Sequence, residues 1–377
     1  MQNRREFLAS SSATLLAQAL ATKADAAPPG ASGEWRNRQS GVAYRQLGRT
    51  KFMISEMVMG GNTIAPDNYE HVLTAVDMGL NYLDTSPAYG NGKSEAGYAR
   101  VLKARSRDQF FLNTKVSLWD INRGKIFKDI FDSLPDPEKA KLRTQAQDEI
   151  ERSGALAPDY VCDYFPGQRG ETTDAVLANL MEKKYGRRLD RHKNYKQLIL
   201  DSIDHSLKAL GAGELDLMMC PHGASTAYEL EGYPEIFDAF ETLRKAGKVR
   251  YLGVSAHTNT AAILRAGVKS GHYSVAMIAY NIVNHGYADE ALADAKKADF
   301  GVIAMKVARP VFNGRNNGTK DDPARVKLVT DAVPGPLKVP QKAYVWALRN
   351  PNLSAVISEL VNERLVAENL PLAGSKS

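Results

Sequence analysis

The strongest constraint on the fold is the alternation of short apolar segments with helical patterns along most of the chain. Apolar runs that predict strands occupy residues 57–59, 82–84, 110–115, 215–220, 249–254, 275–280, 302–305 and 355–357. A helical pattern follows each run, at residues 68–78, 94–103, 195–210, 234–246, 259–266, 288–298, 340–349 and 362–369. The strand segments are apolar throughout, which is typical of parallel strands buried on both faces. Eight strand-helix pairs in sequence predict an α/β fold, a closed (β/α)8 TIM barrel.

The barrel is predicted to be one domain over residues 44–371. A chain of 377 residues is long enough for one large barrel or for two ordinary domains, and the alternation favours the barrel. A turn at Gly48 predicts a β-hairpin ahead of the first barrel strand, and residues 372–377 are assigned to a tail.

A long helical insertion interrupts the alternation after the third strand. Residues 118–194 stand where a βα loop usually has about 2 to 6 residues, and they contain the helical patterns KIFKDIFDSL and AVLANLMEKKYG. Because the insertion follows the carboxyl end of a barrel strand, it emerges on the face where barrel active sites lie. It is predicted to be a lid or a wall of a substrate pocket; the alternative is an excursion that packs outside the barrel.

Aromatic residues of the insertion, together with one arginine, suggest a pocket for a ring-bearing or sugar-like molecule. They are Trp119, Tyr160, Tyr164, Phe165 and Arg169. The alternative interpretation is that the aromatic rings form a small core of the insertion itself.

Residues 1–26 carry a pattern typical of an export signal. MQNRREFLAS places an arginine pair before an apolar pair, a weakly apolar segment follows, and Ala24–Ala26 offers a small-residue cleavage site. The pattern resembles a twin-arginine signal, although Asn3 and Ala9 depart from the usual residues; the alternative is a chance basic, amphipathic start. It predicts export by the twin-arginine machinery, to the periplasm or otherwise out of the cytoplasm, with residues 27–43 as a linker.

Charge and hydropathy argue against two classes of partner. The formal net charge is +6, but no Lys/Arg run with interleaved aromatics suggests nucleic acid. No apolar run reaches the roughly 18 residues of a membrane span. Export would permit a disulfide between Cys162 and Cys220, but Cys220 ends an apolar strand and is better interpreted as a packed core thiol.

Groups capable of proton transfer follow three of the predicted strands. Asp84 ends the second strand and Tyr89 follows five residues later, Lys115 ends the third strand, and His222 follows the fourth. The carboxyl ends of parallel barrel strands meet at one face, so these side chains are predicted to converge. A carboxylate, a phenol, an ammonium and an imidazole at one place outline a proton-transfer site.

Together these segments resemble the aldo-keto reductase family over about residues 44–370, outside the insertion. The resemblance rests on GLNYLDTSPAYGNGKSE, NTKVSL, SLKALGAGELDLMMCPHG, GKVRYLGVSAH, GVIAMK and a closing helix with AENL. It implies an NAD(P)-dependent oxidoreductase that interconverts a carbonyl and an alcohol by hydride transfer, and it implies that Asp84, Tyr89, Lys115 and His222 are the catalytic tetrad.

The chemistry of proton donation explains each of these four choices. Tyrosine has an ordinary pKa of about 10 and is a poor donor at neutral pH. We expect Lys115 to lower the pKa of Tyr89 and Asp84 to hold the lysine in place. His222 is expected to orient the substrate oxygen by a hydrogen bond.

The nicotinamide end of the implied cofactor site departs from the family pattern. Ser255 matches the serine that contacts the nicotinamide amide, but Ala256 stands where asparagine is usual and Met277 where glutamine is usual. Met305 replaces the aromatic residue under the ring, a change that a polarizable methionine tolerates.

The adenine end of the implied site departs further. Glu359 stands where a basic residue usually binds the 2′-phosphate, so it would repel that group and accept hydrogen bonds from a free 2′-hydroxyl. The resemblance therefore implies NAD or NADP, with NAD slightly favoured and the cofactor held tightly. Lys306 and Arg309 are candidates for the pyrophosphate, or are solvated charges. The remaining candidates at this end are Arg364, Glu368 and Asn369.

Two other classes of function stay open at this point. A binding or scaffold protein without redox chemistry is disfavoured by the complete tetrad. It is favoured by the substitutions at Ala256, Met277, Glu359 and Leu360. A metal-dependent barrel hydrolase is the third reading, but His205, His222 and His257 lack the close spacing of a metal site. The substrate and the oligomeric state are not predicted.

Overall fold

The core of the fold is a closed parallel barrel. The computed structural model of the protein describes residues 33–116, 118–157, 160–313 and 321–374. Its strands are β1 (Glu34–Trp35), β2 (Tyr44–Gln46), β3 (Phe52–Ser55), β4 (Met57–Gly60), β5 (Tyr82–Asp84), β6 (Phe111–Lys115), β7 (Leu215–Met219), β8 (Val249–Ala256), β9 (Val275–Ala279), β10 (Gly301–Met305) and β11 (Ala355–Ser358). From β4 onward each strand pairs in parallel with the next, and β11 closes against β4. The predicted (β/α)8 barrel is confirmed.

The helices alternate with the barrel strands as the apolar pattern predicts. In the described residues they are α1 (Glu70–Asp77), α2 (Lys93–Ala104), α3 (Leu118–Asp132), α4 (Asp136–Ser153), α5 (Gln168–Tyr185), α6 (Leu198–Leu210), α7 (Tyr228–Glu231), α8 (Pro234–Lys245), α9 (Thr260–Ser270), α10 (Gly286–Lys297), α11 (Pro323–Ala332), α12 (Val339–Leu348) and α13 (Glu363–Asn369). The eight predicted helices correspond to α1, α2, α6, α8, α9, α10, α12 and α13, with small differences at their ends.

Strand β9 shows why the barrel strands are apolar throughout. Met277 points into the barrel, where it packs in a cluster with Val58 and Ile303. Its neighbours Ala276 and Ile278 belong to the cluster between the strands and the surrounding helices. Both faces of the strand are therefore removed from water, so no polar alternation remains in the sequence.

A small N-terminal sheet closes the amino end of the barrel. The predicted hairpin is present, because β2 pairs antiparallel with β3 through a 3-10 turn at Gly48–Thr50. Gly48 has a φ of +50°, and a Cβ there would lie 2.2 Å from the backbone nitrogen of Gly301. Only glycine allows the turn to approach β10 so closely. Side chains of this hairpin then fill the amino end of the barrel interior, namely Leu47 before the turn and Phe52 and Ile54 of β3.

The prediction of a linker over residues 27–43 is wrong for its described part, residues 33–43. Strand β1 pairs in parallel with β3. Arg36 lies 3.0 Å from the buried carboxylate of Asp216, and Arg250 lies 2.6 Å from Glu34. These ion pairs fix the segment beneath the barrel. The segment looks like a linker in the sequence because it is rich in polar residues. Its ion-pair partners Asp216 and Arg250 lie far away in sequence, so the local pattern does not reveal them.

The two ends of the chain differ in how far the structure describes them. The predicted signal, residues 1–26, lies outside the described residues, as do residues 375–377 of the predicted tail. Leu372 and Ala373 are buried, and the backbone nitrogen of Gly374 donates to Glu56 at 2.9 Å, so this part of the tail packs on the barrel. Among the described residues, every helix is too short or too polar to cross a membrane.

The insertion forms a helical unit of its own. Helices α3 and α5 contain the two predicted helical patterns and share a cluster that includes Phe127, Phe131 and Met181. Helix α4 is not predicted, because DPEKAKLRTQAQDEIERS is mostly polar. Its buried residues Leu142, Ala146 and Ile150 recur every four positions and are the one signal of an amphipathic helix.

Candidate active site

The carboxyl end of the barrel brings together the four residues predicted to carry proton transfer. Asp84 ends β5, Lys115 ends β6, and His222 follows β7. Tyr89 begins a 3-10 turn ahead of α2. Parallel strands place these positions at one end of the barrel, so residues far apart in sequence share one site.

A buried ion pair anchors the site. The Nζ atom of Lys115 donates to both carboxylate oxygens of Asp84, at 2.5 and 2.6 Å, and to the backbone oxygen of Thr85 at 3.0 Å. The side-chain amide of Asn113 donates to the same carboxylate at 2.5 Å. These contacts fix the position of the ammonium.

The two charges of this pair respond differently to burial. Burial raises the pKa of Asp84, while the Lys115 ammonium opposes that shift. Burial acts to lower the pKa of Lys115, but Asp84 and Tyr89 together raise it above its ordinary value. Lys115 is therefore an ammonium at neutral pH.

Tyr89 lies directly against this ammonium. The Nζ atom of Lys115 is 4.6 Å from the centroid of the Tyr89 ring, and a hydrogen bond joins the two side chains. The expectation that Lys115 lowers the pKa of Tyr89 into a neutral range is wrong. Burial raises the pKa of Tyr89 above its ordinary value, and Lys115 only reduces that rise. The phenol therefore keeps its proton at neutral pH.

His222 completes the group on the far side of Tyr89. The two rings meet edge to face, with centroids 5.8 Å apart and an interplanar angle of 81°. Burial, with the charges of Lys115, His257 and Lys306, holds the pKa of His222 well below its ordinary value. A neutral imidazole can donate one hydrogen bond without carrying charge, so it can orient an oxygen that also receives a proton from Tyr89.

Ser255, Met277 and Met305 lie on three neighbouring strands beside the tetrad. Ser255 on β8 is in register with Met277 on β9, and Met305 ends β10. Both methionines belong to the apolar cluster inside the barrel, and the hydroxyl of Ser255 accepts a hydrogen bond from the backbone nitrogen of Gly223 at 3.2 Å. These residues form an apolar floor with one hydroxyl at its edge, which suits a planar ring bearing an amide.

Two candidate cations follow directly after β10. Lys306 has a φ of +58° and is partly exposed, and Arg309 is also partly exposed. The charge of Lys306 contributes to the low pKa values of His222 and His257, so Lys306 lies close to the tetrad. Its ammonium is placed to neutralise an anionic group bound at this end of the barrel.

The predicted residues at the C-terminal end of the chain bind side chains of the protein itself. Glu368 pairs with Lys338 at 2.7 Å and with Arg364 at 3.1 Å. Asn369 is buried and accepts a hydrogen bond from Gln341 at 3.3 Å. The carboxylate of Glu368 is thus already bound by two cations of the chain, one of which, Lys338, the sequence does not single out.

Glu359 lies apart from that cluster and faces the site. It accepts a weak hydrogen bond from Asn62 at 3.5 Å, and its charge contributes to the raised pKa of Tyr89. A carboxylate here makes the surroundings less favourable for a second anion.

The insertion lies over the ends of β8 and β9. Phe165 meets His257 edge to face, with ring centroids 5.2 Å apart. The hydroxyl of Tyr164 accepts a hydrogen bond from Asn281 at 2.7 Å, and the backbone oxygen of Tyr160 accepts one from Asn284 at 2.6 Å. Part of the insertion therefore packs on the residues that follow β8 and β9 at the carboxyl end of the barrel, and the rest, built on α3 to α5, has its own core outside the barrel.

Several positioning residues of the site are not predicted from the sequence. Thr85 contributes a backbone oxygen, which no side-chain pattern reveals. Asn113 could have been found, because it stands two residues before Lys115 and so shares its face of β6. Trp119 and Arg169 have no role beside the tetrad that the structure shows: the side chain of Trp119 lies outside the description, and Arg169 pairs with Asp163 at 2.9 Å.

The cysteines and acidic residues show neither a disulfide nor a metal cluster in the described part of the chain. Cys162 and Cys220 are both buried, and no bond joins them. Across residues 33–374, apart from the gaps in the description, no three His, Cys, Asp or Glu side chains gather as metal ligands.

Solved structures resemble this chain over most of its length. An aldo-keto reductase from Bacillus halodurans in its holo form has a TM-score of 0.57 and 19% identity, covering 88% of this chain and 90% of that one. An aldo-keto reductase from Klebsiella pneumoniae, solved in complex with NADPH, has a TM-score of 0.56 and 15% identity over the same shares. At such identities the likeness shows the fold.

Sequence comparisons give shorter matches to curated proteins. Aldo-keto reductase YhdN of Bacillus subtilis (strain 168) is 32% identical over 104 residues, which are 25% of this chain and 31% of that protein. D-threo-aldose 1-dehydrogenase of a Pseudomonas species is 23% identical over 236 residues, or 62% of this chain and 57% of that protein. The chain therefore spans less than two-thirds of either relative.

The match to a whole family is broader. The sequence fits the model of the Aldo/keto reductase family over residues 55–162 and 180–373, which include every barrel strand, all four tetrad residues and the C-terminal segment. The gap at residues 163–179 falls within the insertion. On this match and on the barrel that carries it, the chain belongs to the aldo/keto reductase family.

Proposed function

We propose that this protein is an oxidoreductase that interconverts a carbonyl and an alcohol, with Tyr89 as the proton donor or acceptor. One observation carries the proposal: the Lys115 ammonium is held by Asp84 at 2.5 and 2.6 Å and lies 4.6 Å from the Tyr89 ring. A buried phenol that keeps its proton at neutral pH can donate it to a developing alkoxide, and the fixed ammonium beside it stabilises the phenolate that remains.

A nicotinamide dinucleotide fits the residues beside the tetrad. The apolar floor of Met277 and Met305, with the Ser255 hydroxyl, suits the nicotinamide, and Lys306 and Arg309 suit the diphosphate. When bound, such a cofactor supplies or accepts the hydride. The aldo-keto reductase of Klebsiella pneumoniae was solved with NADPH, which supports this class of cofactor.

The chain's own residues account for the rest of the reaction. As negative charge builds on the carbonyl oxygen, Tyr89 donates its proton to that oxygen. His222 donates a hydrogen bond to the same oxygen and fixes its position. Lys115 stabilises the phenolate that remains, and Asp84 keeps the lysine in place. In alcohol oxidation the same groups act in reverse.

A tyrosine pair tests the proposal. Tyr89→Phe removes the proton donor, and we expect turnover of small aldehydes with NADH or NADPH to fall by about 10²- to 10⁴-fold. Tyr98→Phe is the matched control, since in the described structure the buried hydroxyl of Tyr98 has no hydrogen-bond partner. Equal turnover by the two variants, or none by the wild-type protein, would contradict the proposal and favour a binding protein without redox chemistry.

Two observations bear on the choice between NAD and NADP. The carboxylate of Glu359 would repel a 2′-phosphate, whereas the solved relatives named with a cofactor hold NADPH or NADP and do not favour NAD. Titration of the protein fluorescence with NADH and with NADPH compares the two affinities directly. Glu359→Lys should strengthen NADPH binding relative to NADH if Glu359 faces the 2′ position.

We also propose export by the twin-arginine route, on the sequence of residues 1–26. Since this route carries folded proteins, a cofactor bound tightly in the cytoplasm could travel with the protein. Replacing Arg4 and Arg5 by lysine should leave the protein in the cytoplasmic fraction. A mass spectrum of the mature protein, purified without added cofactor, tests whether a dinucleotide stays bound.

A further inference from the structure

A buried asparagine lies beside the ion pair of the tetrad. Asn113 is 0% exposed and stands opposite Asp84 in the register of β5 and β6. Its side chain shares one face of β6 with Phe111 and Lys115, each two residues away. The amide nitrogen donates to Oδ1 of Asp84 at 2.5 Å, and the same oxygen accepts from Lys115. Asn113 therefore acts on the site through Asp84.

The other end of the amide gives Asn113 no stabilising role in the fold. Its Oδ1 atom is buried and has no hydrogen-bond partner among the described residues. A buried amide oxygen without a partner costs free energy, whereas an apolar side chain of the same branched shape avoids that cost. The stability of the barrel therefore does not explain an asparagine at this position. The hydrogen bond to Asp84 does.

This hydrogen bond supports one charge state of Asp84. A carboxylate only accepts hydrogen bonds, so the amide must present its N–H group to it. A hydrogen bond made to the charged form of a group favours that form. Burial raises the pKa of Asp84, and the charge of Lys115, with hydrogen bonds from Lys115 and Asn113, opposes that rise. Asn113 thus works in the same direction as the lysine.

The other titratable groups near Asp84 leave this task to the same two residues. The charge of Asp84 acts on three phenols, which belong to its own strand, to the turn ahead of α2 and to α2, namely Tyr82, Tyr89 and Tyr98. Burial raises the pKa of all three, so they are uncharged at neutral pH. On β4 the residue in register with Asp84 is Gly60, which has no side chain. Lys115 is therefore the charged partner of Asp84, and Asn113 is the neutral one.

We propose that Asn113 is a positioning residue that keeps Asp84 ionised, and so keeps the Lys115 ammonium fixed against the Tyr89 phenol. Without the amide, Asp84 takes up a proton from solvent at a higher pH. A protonated Asp84 no longer holds the ammonium by charge, and Lys115 then stabilises the phenolate less well. The inference rests on the proposed function and adds one residue to its machinery.

The pH dependence of turnover separates this role from a structural one. Asn113→Leu replaces the amide by methyl groups, and we expect kcat/KM for a small aldehyde at neutral pH to fall about tenfold. The acid limb of the profile should move to higher pH, because Asp84 gains its proton sooner. Asn113→Ala loses the donor without adding bulk and should move the limb the same way. Asn113→Gln keeps an amide and should recover part of the loss. An acid limb that stays in place in the leucine and alanine variants would overturn the role.

Asn81→Leu is the matched control. Asn81 immediately precedes β5, at the end opposite Asp84, and is equally buried. Its amide donates to the backbone oxygens of Arg36 and Met53, each at 2.8 Å, so the variant loses stability without touching the ion pair. Its acid limb should match that of the wild-type protein. A shift as large as in Asn113→Leu would show that the limb reports the loss of any buried amide, and would contradict the proposal.

Infrared spectroscopy follows Asp84 without any turnover. A protonated carboxyl group has a carbonyl stretch that a carboxylate lacks, and the band of Asp84 is assigned by its loss in Asp84→Asn. This assignment also distinguishes Asp84 from His222, whose pKa lies well below its ordinary value and which therefore titrates on the acid side as well. On acidification of the folded protein, the band should appear at a higher pH in Asn113→Leu than in the wild-type protein.

The infrared titration keeps the two proposals apart. Equal midpoints, or no Asp84 band in Asn113→Leu while that variant remains folded, would overturn the role of Asn113. Absence of turnover in the wild-type protein would contradict the proposed function, and the infrared midpoints would still decide on Asn113.

Discussion

The structure contains two buried ion pairs with different roles. One lies in the barrel, and the other joins the insertion to the barrel. In the barrel, Lys115 and Asp84 have side chains 1% and 2% exposed and lie 2.5 Å apart. At the insertion, Arg123 of α3 and Glu229 of α7 are 6% and 1% exposed and lie 2.9 Å apart. Burial and distance are thus nearly the same, and the difference lies in what surrounds each pair.

The surroundings of the barrel pair include a group that can change its charge. Lys115 contacts the phenol of Tyr89, so a proton leaving Tyr89 changes the electrostatic energy of the pair. Glu229 instead accepts hydrogen bonds from fixed donors, the backbone nitrogens of Ser225 and Thr226 at 2.8 and 2.7 Å. The first pair is therefore suited to chemistry and the second to holding the insertion on the loop that follows His222.

The largest effect is expected from breaking the barrel pair. Lys115→Met removes the charge that stabilises ionised Tyr89, and we expect turnover to fall by about 10²- to 10⁴-fold. It also leaves Asp84 buried without its cation, which costs about 3 to 5 kcal/mol of unfolding free energy. Steady-state kinetics and urea denaturation measure the two effects.

A second buried lysine provides the control for that variant. Lys342 is 4% exposed and donates to the backbone oxygens of Val333 and Gly335 at 2.5 and 2.7 Å. Lys342→Met should lower stability but leave the turnover of the folded protein nearly unchanged. If Lys115→Met retains turnover within tenfold of Lys342→Met, the chemical role of the barrel pair is wrong.

Breaking the insertion pair should mainly affect stability. Arg123→Met leaves Glu229 buried without its cation, and we expect the unfolding free energy to fall by about 3 kcal/mol or more. Turnover of the folded protein should change much less than in Lys115→Met, because Arg123 touches no reacting group. A loss of turnover without a loss of stability would show that the two pairs do not differ in purpose.

The smallest effect concerns the pH dependence of the unfolding free energy. It should separate His257, at the end of the barrel, from Arg123 of the insertion pair. The folded protein holds the pKa of His257 at about 3, below its ordinary value of 6.5. Below pH 6.5 the unfolded chain therefore binds a proton that the folded chain does not, so the unfolding free energy falls as the pH drops from about 6.5 toward 3. His257→Phe should make this fall shallower, whereas Arg123→Met should keep the wild-type slope. Urea denaturation at a series of pH values gives both slopes, and equal slopes in wild type and His257→Phe would refute the expectation.

Local patterns carried most of what the sequence could predict. Strands such as β9 are apolar on both faces, and this leaves an unmistakable run of residues such as VAMIA. The tetrad positions follow from strand ends, since a strand that ends in Asp84 or Lys115 must deliver it to the same end of the barrel. These features depend on residues close together in sequence.

Features set by distant contacts escaped prediction. Helix α4 is held by packing against α5, not by its own composition. Strand β1 is held by pairing with β3 and by the ion pair of Glu34 with Arg250, and Arg36, just after the strand, pairs with Asp216. The pKa of Tyr89 depends on burial and on the charges of Lys115, Asp84 and Glu359. The sequence suggested only the effect of Lys115. The contact between Phe165 and His257 joins two regions that nothing in the sequence relates.

The side chains of Leu47, Phe52 and Ile54 close the amino end of the barrel. A ligand therefore reaches Tyr89 and leaves it by the same route, at the carboxyl end of the barrel. The segment around Tyr164 lies over part of that end. Reactants and products would therefore pass the same stretch of chain.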